Sequence, residues 1–404
     1  MLNCQVLTLE LDSVVVFKNE VRFGVSAYLH RYLRLCRDHQ DADQTVAAYC
    51  DFVSALYEHG CDYGAYLLRA LAEDENLYVK TLAAGEKISP HLAACFMREL
   101  KLFSALSGIS PAQLQHIGPK IPPEVGLPAF SSTEMDFTTQ IPAALKEVAQ
   151  KGYGMFARYG MFRVDEQGAL CPVLSPDPVR LSGLVGYEDE RRRVLENTQA
   201  LLAGKPAANA LLCGDAGTGK SATVKAVANE LFDRGVRLIE IGKEQLFRLP
   251  AIMGQIARNP LKFIIFIDDL SFSEQDDSFG ALKAVLEGSA ATKTSNAVIY
   301  ATSNRRHMVR ESFSAREGDE IHRNDAMQEM ISLSARFGLR VLFVKPDKKL
   351  FAEIVLALAH ARGITMQEET LLTKAEAFAL NRGGRSARVA QQFIDNLSIS
   401  EGNE

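Results

Sequence analysis

Hydrophobic residues in the first part of the chain recur at helical spacing. Val25, Tyr28 and Leu29 lie three and four residues apart, and similar patterns continue to about residue 117. This spacing places apolar side chains on one face of each helix, so we predict an all-α N-terminal domain over residues 1–117. Eight prolines then fall within residues 118–180. Because proline interrupts helices and strand ladders, we predict an irregular linker for this segment.

From about residue 181 the pattern alternates between short apolar runs and helical segments. The apolar runs predict strands at residues 210–213, 237–241, 262–267, 297–300 and 339–344. Alternation of strand and helix is typical of a parallel sheet flanked by helices. We therefore predict an α/β domain with a five-stranded parallel sheet over residues 181–345. Helical segments alone follow, and they predict a small helical lid over residues 346–404.

Composition and charge fit a water-soluble protein of two or three domains. The chain has 404 residues, of which 47% are hydrophobic, and no apolar run approaches the ~20 residues of a membrane span. The start of the chain has no cationic secretory segment, so we expect a cytoplasmic protein without a membrane partner. Seven cysteines without a Cys-x-x-Cys pair predict reduced thiols and no zinc site.

The net charge of −5 is confined to residues 1–180, because the remainder carries 29 basic and 29 acidic residues. Neither part forms a broad basic surface, so composition gives little support for nucleic-acid binding. No helix-turn-helix is predicted after the lid, which adds to that expectation.

One segment after the first predicted strand matches the phosphate-loop pattern G-x-x-x-x-G-K-[ST] in full. Its residues are Gly214, Asp215, Ala216, Gly217, Thr218, Gly219, Lys220 and Ser221. Glycines allow successive backbone N–H groups to point at phosphate oxygens, and the following helix adds its positive end. Lys220 is expected to reach the β- and γ-phosphates, and the Ser221 hydroxyl to ligate Mg²⁺.

Two carboxylates, Asp268 and Asp269, follow the predicted strand at residues 262–267. The carboxyl end of a buried parallel strand opens onto the ligand crevice. We predict that Asp268 belongs to the Mg²⁺ shell and that Asp269 polarises an attacking water. The sequence has no Asn-Lys-x-Asp motif of the kind that GTPases use to bind guanine.

In this order of motifs, the sequence resembles the AAA+ superfamily of P-loop ATPases over roughly residues 181–398. The resemblance implies ATP and Mg²⁺ as cofactors. It also implies that the segment with Val185, Gly186 and Tyr187 packs on adenine. Thr302-Ser303-Asn304 is similar to the sensor 1 motif, which implies that Asn304 holds the attacking water or the γ-phosphate.

Two further arginines correspond to AAA+ functional positions. Arg336 lies in a segment that resembles the arginine finger, which implies action in trans on the ATP of a neighbouring subunit in a ring or filament. Arg388 matches the sensor 2 arginine, with Arg385 as the second choice. The basic group Arg305, Arg306 and His307 is interpreted either as an interface cluster or as a solvated turn. Residues 311–325 are interpreted as a loop at a ring interface or on the surface.

The segments around Asp268 and Asn304 resemble still more closely an uncharacterised bacterial family of AAA+-type ATP-binding proteins. One departure from the AAA+ pattern is Asp269, where glutamate is usual, and its shorter side chain suggests slow turnover. Three hypotheses follow. The first is an oligomeric ATPase that remodels or loads an unknown protein partner. The second is a nucleotide-switched binding module, with nucleic acid as a weakly supported target. The third, a protein-unfolding motor, ranks lowest because no aromatic-glycine pore loop is found.

Overall fold

The structure is a computed structural model that describes residues 3–39, 41–120, 122, 124–270, 282–283, 285–286, 295–304 and 335–401. The chain divides into two compact units, Met1–Arg158 and Tyr159–Glu404. Among the described residues, every helix is too short or too polar to cross a membrane.

The first unit contains helices where the sequence predicts them, within residues 1–117, and three more within residues 137–158, in the segment predicted to be an irregular linker. Its helices are α1 (Cys4–Asp12), α2 (Lys18–Phe23), α3 (Val25–Arg37), α4 (Ala42–Tyr57), α5 (Tyr63–Glu73), α6 (Leu77–Ala83), α7 (Pro90–Ser107), α8 (Pro111–Ile117), α9 (Phe137–Leu145), α10 (Val148–Lys151) and α11 (Met155–Arg158). Aromatic side chains such as Phe17, Phe52 and Phe103 fill its core without solvent exposure. Helical propensity alone leaves such helices marginal, so this shared core holds the unit together.

The second unit contains a sheet and helices that cover it. Its strands are β1 (Met161–Val164), β2 (Leu170–Pro172), β3 (Ala210–Gly214), β4 (Val236–Glu240), β5 (Lys262–Ile267), β6 (Ala297–Ser303) and β7 (Leu339–Phe343). Its helices are α12 (Glu188–Leu202), α13 (Lys220–Glu230), α14 (Leu249–Ile256), α15 (Lys348–Ala361), α16 (Glu368–Asn381) and α17 (Ala387–Glu401). Short 3₁₀ helices occupy Leu181–Gly183, Phe232–Arg234 and Lys243–Arg248.

The sheet has seven strands in the order β2-β1-β4-β5-β6-β3-β7. The five strands predicted from the sequence are confirmed and run parallel. The prediction of a five-stranded, all-parallel sheet is wrong, because β1 adds to β4 in parallel and β2 pairs with β1 in antiparallel. Both added strands come from the proline-containing segment at residues 118–180. Pro172 is tolerated because β2 is an edge strand.

The strand order brings three functional segments to one edge of the sheet. Strand β6 lies between β3 and β5, and all three strands are parallel. Their carboxyl ends therefore share one edge, where the phosphate loop follows β3, the two aspartates follow β5 and Asn304 follows β6. Segments far apart in sequence meet in one crevice, as is usual for parallel α/β sheets.

The segment predicted to be a helical lid contains α15, α16 and α17. These helices enclose a core of their own, which includes Phe351, Leu371 and Ile394. The carboxylate of Asp347 accepts a hydrogen bond from the backbone N–H of Leu350 at 2.8 Å and caps α15. This bond gives an acceptor to one of the N–H groups that lack a partner within the helix at its start.

Candidate nucleotide-binding site

The backbone of the phosphate loop takes conformations that favour glycine. Gly214, Gly217 and Gly219 have φ values of 133°, 77° and 92°. A Cβ at Gly214 would lie 1.9 Å from the carbonyl oxygen of Phe343. Helix α13 starts at Lys220, so its unpaired N–H groups face the loop, as anion binding requires.

We expect Gly214→Ala to destabilise the protein by about 3 kcal/mol, because a Cβ there meets backbone and the left-handed φ is strained. Gly254→Ala is the matched control, since a Cβ at this position in α14 meets nothing within 4 Å. The control is expected to stabilise by up to about 1 kcal/mol through helix propensity. Urea unfolding of the variants measures both changes, and equal effects would contradict this role for Gly214.

The Lys220 ammonium group is buried in the centre of the site. It donates to the carbonyl oxygens of Gly214 at 3.0 Å and Asp215 at 2.7 Å, and to Asn304 Oδ1 at 3.0 Å. Burial lowers the pKa of Lys220, while Asp215 and Asp269 act to raise it. The cation is therefore held by the loop and by the segment after β6, close to two carboxylates.

Ser221 and Asp268 form a pair of oxygen donors beside Lys220. The Ser221 hydroxyl donates to Asp268 Oδ1 at 2.6 Å. A hydroxyl and a carboxylate are the ligands that Mg²⁺ takes in nucleotide sites, where it keeps several waters and phosphate oxygens as well. The donor set thus fits Mg²⁺, with Ser221 and Asp268 as the residues that would hold it.

Asp269 lies in a left-handed turn directly after β5, with φ of 54°. Its Oδ1 accepts a hydrogen bond from Asn304 Nδ2 at 2.8 Å. Aspartate and asparagine enter this region more readily than other side chains that carry a Cβ. The left-handed backbone therefore gives a physical reason for aspartate, and not the usual glutamate, at this position.

The role of Thr302 is not predicted from the sequence, where this residue appears only as part of the Asn304 segment. The Thr302 hydroxyl donates to Asp268 Oδ1 at 2.6 Å and accepts the backbone N–H of Asp269 at 2.9 Å. A threonine two residues before Asn304, at the end of a buried strand, was the available signal. The strand pairing that places it against the aspartates is not encoded locally.

The lid approaches the phosphate loop through Arg388. Its backbone N–H donates to the carbonyl oxygen of Gly217 at 3.1 Å, and its side chain is exposed. Arg385 instead pairs with the Glu376 carboxylate through Nε, at 2.9 and 3.0 Å to its two oxygens. Of the two sensor 2 candidates, Arg388 is therefore the one whose backbone touches the loop.

A hydrogen bond also joins the phosphate loop to the segment after β7, and no local sequence pattern indicates it. Asp215 Oδ2 accepts the backbone N–H of Lys345 at 2.8 Å. The Lys345 ammonium group in turn donates to the carbonyl oxygen of Gly383, in the lid, at 3.3 Å. The loop, β7 and the lid are thus joined by hydrogen bonds around the site.

The segment expected to contact adenine packs between the sheet and the lid. Val185 packs against the lid core. The Tyr187 ring lies 5.4 Å from that of Phe343, and its hydroxyl donates to the carbonyl oxygen of Val344 at 2.6 Å. Burial raises the pKa of Tyr187 to about 12. Gly186 takes a positive φ of 75°, and contact of this segment with adenine stays a prediction.

Arg336 lies just before β7, next to the buried Phe337, and is half-buried. Within one chain the structure does not test its action on a neighbour. The other predicted positions lie outside the described residues, and they are Ser334, Arg305, Arg306, His307 and residues 311–325.

The part of the chain that contains this site is similar to known proteins. A family model described as "Protein of unknown function (DUF815)" matches residues 157–401. Chaperone protein ClpB of Rickettsia bellii and that of Rickettsia felis are each 26% identical over 144 residues, which cover 31% of this chain. The chain spans 15% of the length of these curated relatives.

Among solved structures, a variant of Thermotoga maritima RuvB matches with a TM-score of 0.36 at 16% identity, over 54% of this chain and 63% of that chain. A katanin structure concerned with self-assembly matches with a TM-score of 0.34 at 15% identity, over 55% and 72% of the two chains.

Proposed function

We propose that this chain, which belongs to the family described as "Protein of unknown function (DUF815)", is an Mg²⁺-dependent ATPase of the AAA+ type. One observation carries the proposal. Lys220, Asn304 and Asp269 form a continuous hydrogen-bonded chain next to the Ser221–Asp268 pair. Phosphate-binding, metal-binding and water-orienting groups therefore converge at the ends of three adjacent strands, as phosphoryl transfer requires.

Each residue has a role in the proposed reaction. The N–H groups of the loop and Lys220 bind the phosphates and stabilise the charge that develops during transfer. Ser221 and Asp268 hold Mg²⁺, which supplies further neutralisation of the phosphate charge. Asp269 and Asn304 orient the attacking water, and the 2.8 Å bond between them fixes the Asp269 carboxylate. Arg388 is proposed to reach the nucleotide from the lid.

Asp269→Asn separates binding from hydrolysis. Asparagine keeps the size of the side chain and tolerates the left-handed backbone, but it cannot accept a proton from water. We expect the variant to bind ATP as the wild type does and to lose turnover by at least about 100-fold. Phosphate release and equilibrium binding of a fluorescent ATP analogue measure the two properties. Unchanged turnover would exclude Asp269 as the water-activating group.

Oligomer formation and a protein partner extend the proposal. The similarity to ClpB, a chaperone protein by name, supports a protein partner, and the AAA+ resemblance supports a ring or filament in which Arg336 acts in trans. A pull-down with the Asp269→Asn protein, with and without ATP, tests the partner. Proteins retained only with ATP would be candidates, and identical retention in both states would argue against nucleotide-dependent remodelling.

A nucleotide switch with slow turnover is the second candidate function. The Asp269 side chain favours it, because aspartate is one methylene shorter than the usual glutamate and its carboxylate would lie farther from the attacking water. Tight ATP binding with negligible single-turnover hydrolysis would support the switch over the ATPase. Filter binding of DNA and RNA at low salt, with and without ATP, tests nucleic acid as the target.

A further inference from the structure

The hydroxyl of Thr302 occupies a junction between the two aspartates. It donates to Asp268 Oδ1 at 2.6 Å and accepts the Asp269 N–H at 2.9 Å, and Thr302 is only 2% exposed. A single hydroxyl therefore uses its donor on one residue of the pair and an acceptor lone pair on the other. Serine is the one other aliphatic residue that would place a hydroxyl group at position 302 between the two aspartates.

These two bonds have different consequences. The Asp269 N–H is shared between the Thr302 hydroxyl at 2.9 Å and Asp268 Oδ1 at 3.2 Å. The shorter of these bonds, to Thr302, helps to hold a non-glycine residue at φ of 54°, a conformation that costs free energy and persists only where neighbours enforce it. The bond to Asp268 shares Oδ1 with the Ser221 hydroxyl, which also donates at 2.6 Å. Thr302 thus orients the carboxylate of Asp268, one of the two candidate Mg²⁺ ligands, and helps to hold the backbone of Asp269.

We propose that Thr302 is a positioning residue, whose hydroxyl sets the Mg²⁺ affinity of the site by orienting Asp268 and couples that carboxylate to Asp269. The inference rests on the proposed function. Groups that hydrogen-bond metal ligands typically change metal affinity or activity by about 10- to 100-fold when removed. The Thr302 hydroxyl bonds to the two aspartates and not to the phosphate loop. We therefore expect its loss to change Mg²⁺ affinity and turnover more than the affinity for nucleotide without Mg²⁺.

The test measures the Mg²⁺ concentration at half-maximal enhancement of fluorescent ATP-analogue binding. Thr302→Val keeps the shape of the side chain and is expected to raise this concentration by about 10- to 100-fold. Thr302→Ser keeps the hydroxyl and is expected to restore the wild-type value, together with kcat. The matched control is Thr198→Val, because Thr198 is fully buried in α12 and its hydroxyl donates to Val194 and contacts the Tyr300 hydroxyl.

A general loss of stability would affect both valine variants alike, so thermal unfolding is recorded for each. An unchanged Mg²⁺ requirement in Thr302→Val, an equal change in Thr198→Val, or no recovery in Thr302→Ser overturns the inference. Wild-type protein that binds nucleotide no better than Lys220→Ala overturns the proposed function and this inference together. If the wild type binds nucleotide normally and Thr302→Val shows the expected rise in the Mg²⁺ concentration, but the wild type has no turnover, only the proposal of ATP hydrolysis is overturned.

Discussion

Lys220→Ala is expected to weaken ATP binding by about 100-fold, which corresponds to about 2.7 kcal/mol. The ammonium group is the buried cation that the loop carbonyl oxygens of Gly214 and Asp215 hold in place. Its removal takes a positive charge away from the proposed phosphate site. It also removes one donor from each carbonyl oxygen, although that of Asp215 still accepts the Thr218 hydroxyl at 2.9 Å. Titration of a fluorescent ATP analogue measures the loss.

Lys225→Ala is the matched control for that variant. Lys225 lies on the same helix, α13, and its ammonium group pairs with Glu240, the last residue of β4, at 3.5 Å. The control removes the same charge and the same side-chain length, and ATP affinity is expected to stay at the wild-type level. Equal weakening by the two substitutions would mean that net charge, not the phosphate loop, governs binding.

Arg336→Ala is expected to lower kcat by a factor of about 10³ or more while ATP affinity changes little. An arginine finger stabilises charge that appears only in the transition state, and its removal typically costs about 10³ to 10⁵ in rate. Arg362→Ala serves as the control, because Arg362 pairs with Asp395 at 2.9 Å within the lid. Steady-state phosphate release at saturating ATP measures the effect.

Mixing two inactive variants shows whether Arg336 acts on the ATP of its own subunit or on that of a neighbour. In a ring of Arg336→Ala and Asp269→Asn subunits, some sites have an intact Asp269 and receive Arg336 from the neighbour. Random assembly of an equal mixture gives about one quarter of interfaces with both groups. Recovery of about a quarter of the wild-type rate would support action in trans, whereas no recovery despite mixed assembly would place Arg336 in its own subunit's site.

The elements of the α/β unit were predictable where periodicity and local motifs agree. After Lys262, strand β5 is an uninterrupted apolar run because both of its faces are buried. Strands β1 and β2 escaped prediction because they are only 4 and 3 residues long. Such short runs carry too little pattern. Their identity as strands comes from pairing, of β1 with β4 far along the chain and of β2 with β1.

The candidate site was predictable in its residue types but not in its connections. Glycines, Lys220 and the two aspartates stand in motifs whose spacing follows from phosphate chemistry. The bridging role of Thr302 depends on β6 lying beside β5, which no local pattern specifies. The left-handed turn at Asp269 likewise becomes evident only once Thr302 is seen to hold its N–H.

Phosphate release from ATP by the wild-type protein, compared with Lys220→Ala under the same conditions, shows whether this site hydrolyses ATP. We expect Mg²⁺-dependent turnover by the wild type and a rate lower by about 100-fold or more in the variant. Equal rates for the two proteins, or wild-type turnover that persists without Mg²⁺, would contradict it.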